Sequence, residues 1–152
     1  MGKPWVVALL IVAIDQLTKS LVASALRPGE SLPLIPPVLY LTFIKNTGAA
    51  FGLLKGYQPL FVGLSCAVIA WIVWEFVAVR RRSPVVVWGC ALILGGAIGN
   101  LIDRVRFGYV RDFFDVRVWP VFNIADSAIT IGISLLIWQS LMSHRVTSRH
   151  KL

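Results

Sequence analysis

Four blocks of apolar residues, at about 5–26, 59–79, 85–102 and 122–142, alternate with polar stretches along the chain. Each approaches the roughly 20 apolar residues, rising about 1.5 Å apiece, that a helix needs to cross a bilayer. The pattern predicts four transmembrane helices, joined by a tight turn at Ser83-Pro84 and by two longer loops at 27–58 and 103–121. Pro28-Gly29, Pro33 and Pro36-Pro37 exclude a regular helix from the first loop. Within it, the β-rich run 38–44 predicts a short strand or hairpin lying on the membrane surface. The second loop reads as a polar connection. The opening of the first block also resembles the apolar region of a cleavable signal peptide, with Ala23-Ser24-Ala25 as a cleavage site. Asp15, Gln16, Thr18 and Lys19 interrupt that stretch, so it reads as a retained helix.

Composition agrees. The chain has 152 residues, 57% of them hydrophobic and 14% charged, with a mean hydropathy of +0.78. Soluble domains carry about 25% charged residues, so an ordinary soluble enzyme, a disordered chain and a collagen are excluded. Four helices use about 80 residues, which leaves room for one membrane domain over 1–152 and little else. The net charge of +8 is not a nucleic-acid signal, because the basic residues gather at the ends of apolar blocks. There they determine topology and contact anionic lipid. Seven Lys and Arg fall with the termini and the 80–84 turn, and seven fall in the two long loops. The first set is the denser, which predicts cytoplasmic termini and external loops. Cys66 and Cys90 both lie inside apolar runs and offer neither a structural disulfide nor metal-ligand spacing.

Polar side chains at membrane depth are costly, and each is a candidate for function. Asp15 and Lys19 stand at i, i+4 on one helix face, as an ion pair that permits insertion or as direct substrate contacts. Gly95 and Gly99 form a small-xxx-small face suited to close helix packing. Asn100 and Arg104 again share a face, with Asp103 beside them; they can hold a peptide carbonyl or an anionic headgroup, or form a simple Arg–Asp pair. Of seven acids, three (Asp103, Asp112 and Asp115) fall in the second loop, and Asp126 lies one turn into the fourth helix. Asn123 and Asp126 also suit a helix N-cap and a favourable dipole contact. The only two histidines, His144 and His150, are in the terminal tail. A Ser–His or Cys–His nucleophile and a His-based zinc site are therefore excluded, and any acid–base chemistry must come from carboxylates. Two carboxylates sharing a water can hydrolyse an amide, because proximity pushes their pKa values apart. A small transporter relaying protons through Asp15, Lys19 and Asp103 is the main alternative, and a scaffold protein a third.

Five segments in order resemble the motifs of the bacterial lipoprotein signal peptidase (signal peptidase II) family. Asp15-Gln16-Leu17-Thr18-Lys19 resembles D-Q-x-T-K. Asn46-Thr47-Gly48-Ala49-Ala50-Phe51-Gly52 resembles N-x-G-A-A-F-G. Gly95-Gly96-Ala97-Ile98-Gly99-Asn100-Leu101-Ile102-Asp103-Arg104 resembles G-G-A-x-G-N-x-x-D-R. Val110-Arg111-Asp112-Phe113 resembles V-V-D-F, and Phe122-Asn123-Ile124-Ala125-Asp126-Ser127 resembles F-N-x-A-D-S. The resemblance implies an all-α polytopic membrane protein with four helices and a small extracytoplasmic β-cradle. It implies an inner-membrane aspartic endopeptidase, without metal or cofactor, that removes signal peptides from diacylglyceryl-modified prolipoproteins on the amino side of the lipidated cysteine. Its partners would be that substrate, membrane lipids and globomycin-like inhibitors, with the enzyme a monomer. Asp112 and Asp126 match the catalytic aspartates; Asp103, in the richer motif, is the rival to which the family pattern gives a supporting role. Asn46, Gly48, Asn100, Arg104 and Asn123 match substrate-binding positions, and Asp15, Lys19, Asp103 and Ala125 supporting ones. Two departures stand out. Arg111 replaces the second Val of V-V-D-F, placing a cation next to Asp112 in the chain, which would lower its pKa and favour the base role. The 14-residue step from Asp112 to Asp126 is short and leaves Asp115 as a rival.

Overall fold

The computed structural model describes residues 2–48, 56–78 and 83–149, the side chains only as far as Ser143 in the last helix. Ala49-Ala50-Phe51-Gly52 of the second motif, Lys55, Arg80-Arg81-Arg82 and His150 lie outside the described residues. The chain order is α1 (Lys3–Ala25), β1 (Ser31–Ile35), β2 (Leu39–Asn46), α2 (Gln58–Ala78), α3 (Pro84–Phe107), β3 (Val110–Asp115) and α4 (Ile124–Arg149). All four helices contain spans long and apolar enough to cross a membrane.

Helix α3 is the centre, packed against α1, α2 and α4, and its glycines explain how. A Cβ on Gly95 would lie 2.8 Å from the Ala8 carbonyl oxygen, and one on Gly99 2.6 Å from Asp15 Oδ2. One on Gly96, on the opposite side, would collide with the Ala125 carbonyl oxygen. The small face expected at 95 and 99 therefore admits α1, and Gly96 admits α4. The apolar contacts follow: Ala8, Ile72, Cys90, Ile93 and Leu94 form one buried cluster, flanked by an edge-on Trp5–Phe76 ring pair at 5.2 Å. Residues facing outward, such as Leu9, Leu10, Leu17 and Leu21 on α1, remain exposed, as a lipid-facing surface requires.

The three strands form one antiparallel sheet in the order β1-β2-β3, at the end of the bundle where α1 and α3 finish and α4 begins. The hairpin expected in the first loop is present as β1 and β2, paired from Ser31–Thr42 to Ile35–Leu39. The second loop departs from expectation twice. Helix α3 continues past 102 to Phe107, and it stops only where Gly108 adopts a left-handed φ of +76° and donates its N–H to the Arg104 carbonyl. Asp103 and Arg104 thus belong to a helix. The chain then forms β3, paired with β2 from Asp115–Tyr40 to Val110–Asn46, so Asp112 sits on a strand rather than in a loop. Helix α4 also extends beyond the apolar block, to Arg149.

Candidate active site

The buried residues of α1 are Ala8, Asp15, Lys19 and Val22, one stripe along the face that meets α3. Asp15 and Lys19 are both fully buried, and Lys19 Nζ lies 2.8 Å from Asp15 Oδ2. The i, i+4 pair is therefore real, but it is not isolated. Lys19 Nζ also donates to Asn100 Oδ1 at 2.8 Å and stands 3.5 Å from Asp103 Oδ2. Asp15 Oδ1, for its part, accepts from the Ala125 N–H at 3.0 Å, tying α1 to the first turn of α4.

Asp103 is the hub of the polar interior. Arg111 grips it with both side-chain forks, Nη2 to Oδ1 at 2.7 Å and Nε to Oδ2 at 3.1 Å, and its own N–H adds a bond at 2.9 Å. Bidentate pairing of this kind is the strong form of the interaction. Gln16 joins it, donating to Asp103 Oδ1 and the Gly99 carbonyl at 3.0 Å each and accepting from Arg111 Nη2 at 3.0 Å. The Phe107 ring covers the guanidinium at 4.6 Å. This corrects the expectation for Arg111. Successive strand residues point to opposite sides, so Arg111 turns toward α1 and α3 while Asp112 turns the other way. Its charge is matched by Asp103, and the Asp112 carboxyl moves up rather than down.

On the far side of Asn100 lie the two carboxylates. Asn100 Nδ2 donates to Asp126 Oδ1 at 2.8 Å. Asn123 Nδ2 donates to Asp112 Oδ1 at 2.6 Å and to Asn100 Oδ1 at 3.2 Å. Asn46 Nδ2 holds the other Asp112 oxygen at 2.9 Å, and Asn46 Oδ1 accepts the Gly48 N–H at 3.0 Å. The helix-start reading of Asn123 and Asp126 is correct as well. Asn123 Oδ1 accepts the Asp126 N–H at 2.9 Å, and Asp126 Oδ2 accepts the Asn123 N–H at 3.2 Å, a reciprocal cap. Capping and the polar site therefore use the same two residues, on different atoms.

Asp112 is only 2% exposed. That burial, followed by the nearby Asp126 charge, pushes its pKa from 3.8 up to about 7, against the pull of the Asn46 and Asn123 hydrogen bonds. Asp112 and Asp126 line a cavity of about 250 Å³ with Asn46, Gly48, Asn100 and Arg104. An apolar cleft of about 440 Å³ also reaches Asn100, Arg104 and Asp126, and runs between Phe61, Leu64 and Trp71 of α2 and Ile129, Ile133 and Leu136 of α4. Asp126 thus stands where the polar chamber meets a hydrocarbon-like groove, with Asp112 beside it in the chamber. Chemically, that arrangement suits acid–base attack on a bond carried by an amphiphile.

The structure brings together Asn46, Gly48, Asn100, Arg104, Asp112, Asn123 and Asp126 around these cavities. It sets Asp15, Lys19 and Asp103 behind them in the ion cluster. Asp115 stands apart, accepting from Thr42 Oγ1 at 2.8 Å and the Arg117 N–H at 2.9 Å. Sequence reasoning assigned no role to Gln16 or Phe61. Gln16, an amide inside an apolar helix, was a usable signal. Phe61 lies 5.1 Å from the Arg104 guanidinium, and an aromatic in an apolar block gives no such sign.

Comparison with known proteins shows the family and the fold. A family model described as signal peptidase (SPase) II matches residues 7–142. A lipoprotein signal peptidase of Pelotomaculum thermopropionicum is 46% identical over 137 residues, covering 90% of each chain. One from Moorella thermoacetica is 49% identical over 135 residues, covering 89% of this chain and 90% of its own. Among solved structures, a bacterial membrane enzyme determined in meso at 2.3 Å superposes with a TM-score of 0.90 at 34% identity, covering 95% of this chain and 90% of its own. A second, at 1.9 Å, gives 0.85 at 35% identity, covering 93% and 94%. The chain belongs to the signal peptidase II family.

Proposed function

We propose that this membrane peptidase removes the signal peptide from diacylglyceryl-modified prolipoproteins, cutting on the amino side of the lipidated cysteine with Asp112 and Asp126 as its water-activating pair. The observation that carries the reading is the joint placement of two carboxylates in one polar chamber, Asp126 held by Asn100 and Asp112 by Asn46 and Asn123, with Asp126 also lining an apolar cleft. The cleft suits the apolar helix of a signal peptide, whose scissile bond would end at the carboxylates. The pair holds a water and shares one proton. The ionised member takes a proton from the water as it attacks the carbonyl carbon, and the protonated member gives its proton to the carbonyl oxygen, forming a gem-diol. As the C–N bond breaks, the first member passes its proton to the leaving amine and the second takes back a gem-diol proton. Asn100, Arg104 and Asn123 position the substrate backbone, with Asn46 and Gly48 at the strand side. Termini in the cytoplasm and the sheet at the extracytoplasmic face of the bacterial inner membrane follow from the density of basic residues. Globomycin-like peptides would occupy the same chamber, and the enzyme acts as a monomer without cofactor. A proton relay through Asp15, Lys19 and Asp103 is disfavoured, because these groups are matched with Arg111 inside one cluster.

The pH profile tests the pair. With Asp112 pushed up to about 7, kcat/KM for cleavage of a lipid-modified prolipoprotein should fall above about pH 7 as the shared proton is lost, by about tenfold per unit. Asn46 stabilises the ionised form of Asp112, so Asn46→Ala raises that pKa further and should move the falling limb to higher pH. A rate flat to pH 9 in wild type, or a limb unmoved by Asn46→Ala, would contradict the proton-sharing pair.

A further inference from the structure

We infer that Lys19 is a positioning residue for the peptidase reaction, fixing the orientation of the Asn100 amide and thereby the carboxylate of Asp126. The inference rests on the carboxylate-pair reading above. It starts from what an ammonium can do: it has three donors and no acceptor. In this fully buried site Lys19 Nζ meets three acceptors, Asp15 Oδ2 at 2.8 Å, Asn100 Oδ1 at 2.8 Å and Asp103 Oδ2 at 3.5 Å. The Asn100 side facing Lys19 must therefore be its oxygen. That leaves Asn100 Nδ2 aimed at Asp126 Oδ1, 2.8 Å away. The second lone pair of Asn100 Oδ1 takes Asn123 Nδ2 at 3.2 Å, and the same Asn123 nitrogen holds Asp112 at 2.6 Å.

Both ends of this chain are thus anchored by groups that only donate. Lys19 sets Asn100, while the Asp126 backbone N–H sets Asn123 by donating to its oxygen at 2.9 Å. Without Lys19, the Asn100 oxygen loses the shorter of its two donors and keeps only the 3.2 Å bond from Asn123 Nδ2, so the amide is held less firmly in its present orientation. In the flipped orientation it would present an oxygen to Asp126, acceptor against acceptor, and turn an NH2 toward Asn123 Nδ2. The two carboxylates would then lose their common frame although no group touching them had been removed. A reacting group displaced by about 1 Å can cost on the order of a hundredfold in rate.

The role of the neighbours separates positioning from simple stability. Asp103 is already gripped by Arg111 at 2.7 and 3.1 Å. Asp15 keeps its bond to the Ala125 N–H at 3.0 Å through Oδ1. Lys19→Met alone leaves Asp15 without its closest cation. Lys19→Met combined with Asp15→Asn restores the charge balance, and an asparagine oxygen can still accept the Ala125 N–H. The effect on catalysis should survive that compensation if it passes through Asn100.

The test is a double-mutant cycle in purified full-length protein, with cleavage of a diacylglyceryl-modified prolipoprotein as the readout and thermal unfolding measured alongside. In the Asp15→Asn background, Lys19→Met should lower kcat by on the order of ten- to a hundredfold with KM within about twofold. Adding it to Asn100→Ala should cost little more than Asn100→Ala alone, because both act through one amide. Two independent, multiplying losses of kcat would overturn the inference. So would a full kcat for the charge-compensated Lys19→Met protein, or a loss confined to thermal stability. Should that background itself fail to fold, the cycle is run with Lys19→Gln, whose oxygen-or-nitrogen ambiguity predicts the same non-additive loss. If Asp126→Asn retained wild-type turnover, the carboxylate pair itself would fall; if Asp126→Asn is inactive while Lys19 and Asn100 multiply, only the Lys19 route falls.

Discussion

Asp126→Asn and Asp112→Asn should each leave a folded protein and reduce kcat/KM by on the order of 10³–10⁴, the range that positioned acid–base groups contribute. An amide is nearly isosteric with a carboxylate and keeps one oxygen to accept from Asn100 or Asn123, giving up only the second bond, from the Asn123 N–H at Asp126 or from Asn46 at Asp112. Lost is the ability to take a proton from water or return one to the leaving amine. Because the two act as one unit, the double variant should be little worse than either single one. Asp115→Asn is the matched control. Asp115 accepts from Thr42 and pairs with the half-exposed Arg117 at 3.5 Å, and it lines neither cavity of the site, so its replacement should leave turnover within about twofold. Turnover surviving in Asp112→Asn and disappearing in Asp115→Asn would keep a peptidase and relocate its pair.

The largest stability effect should come from Asp103→Leu. That change removes three Arg111 hydrogen bonds, one from Gln16 and the 3.5 Å contact to Lys19. Lys19 would keep Asp15, and the buried Arg111 would be left without a carboxylate. Removing one partner of a buried ion network costs about 3–5 kcal/mol, since the remaining charge stays desolvated. In a chain of this size that is a drop in midpoint on the order of 10 °C in detergent. Asp103→Leu with Arg111→Leu restores the balance of charge and should recover much of the loss. A midpoint within about 2 °C of wild type for Asp103→Leu would mean that the cluster is held open to water.

The helices were legible because membrane insertion demands long apolar blocks, and four such blocks can be read without knowing their partners. The close approach at Gly95 and Gly99 was legible for the same local reason. Strand β3 was not. Five of its six residues are buried, since Phe113 packs with Val22 and Phe43 while Asp112 faces the polar chamber. A strand covered on both sides shows no alternation, and Arg111-Asp112 in mid-strand resembles a loop. The same blindness produced the wrong expectation for Arg111: adjacency in sequence suggested a contact with Asp112, whereas the pleat sends the two side chains to opposite sides. Asp103 posed the converse difficulty. Its motif is the richer one, and only the fold separates an acid gripped by two cations from one that faces a cavity.

The most direct measurement of the central claim is to incubate the purified protein with a diacylglyceryl-modified prolipoprotein and identify the new N-terminus by mass spectrometry. The carboxylate-pair account predicts a single cut immediately before the lipidated cysteine, made by wild type and by Asp115→Asn and absent from Asp112→Asn and Asp126→Asn. A cut at another bond, or the same cut made at wild-type rate by both Asp112→Asn and Asp126→Asn, would contradict it.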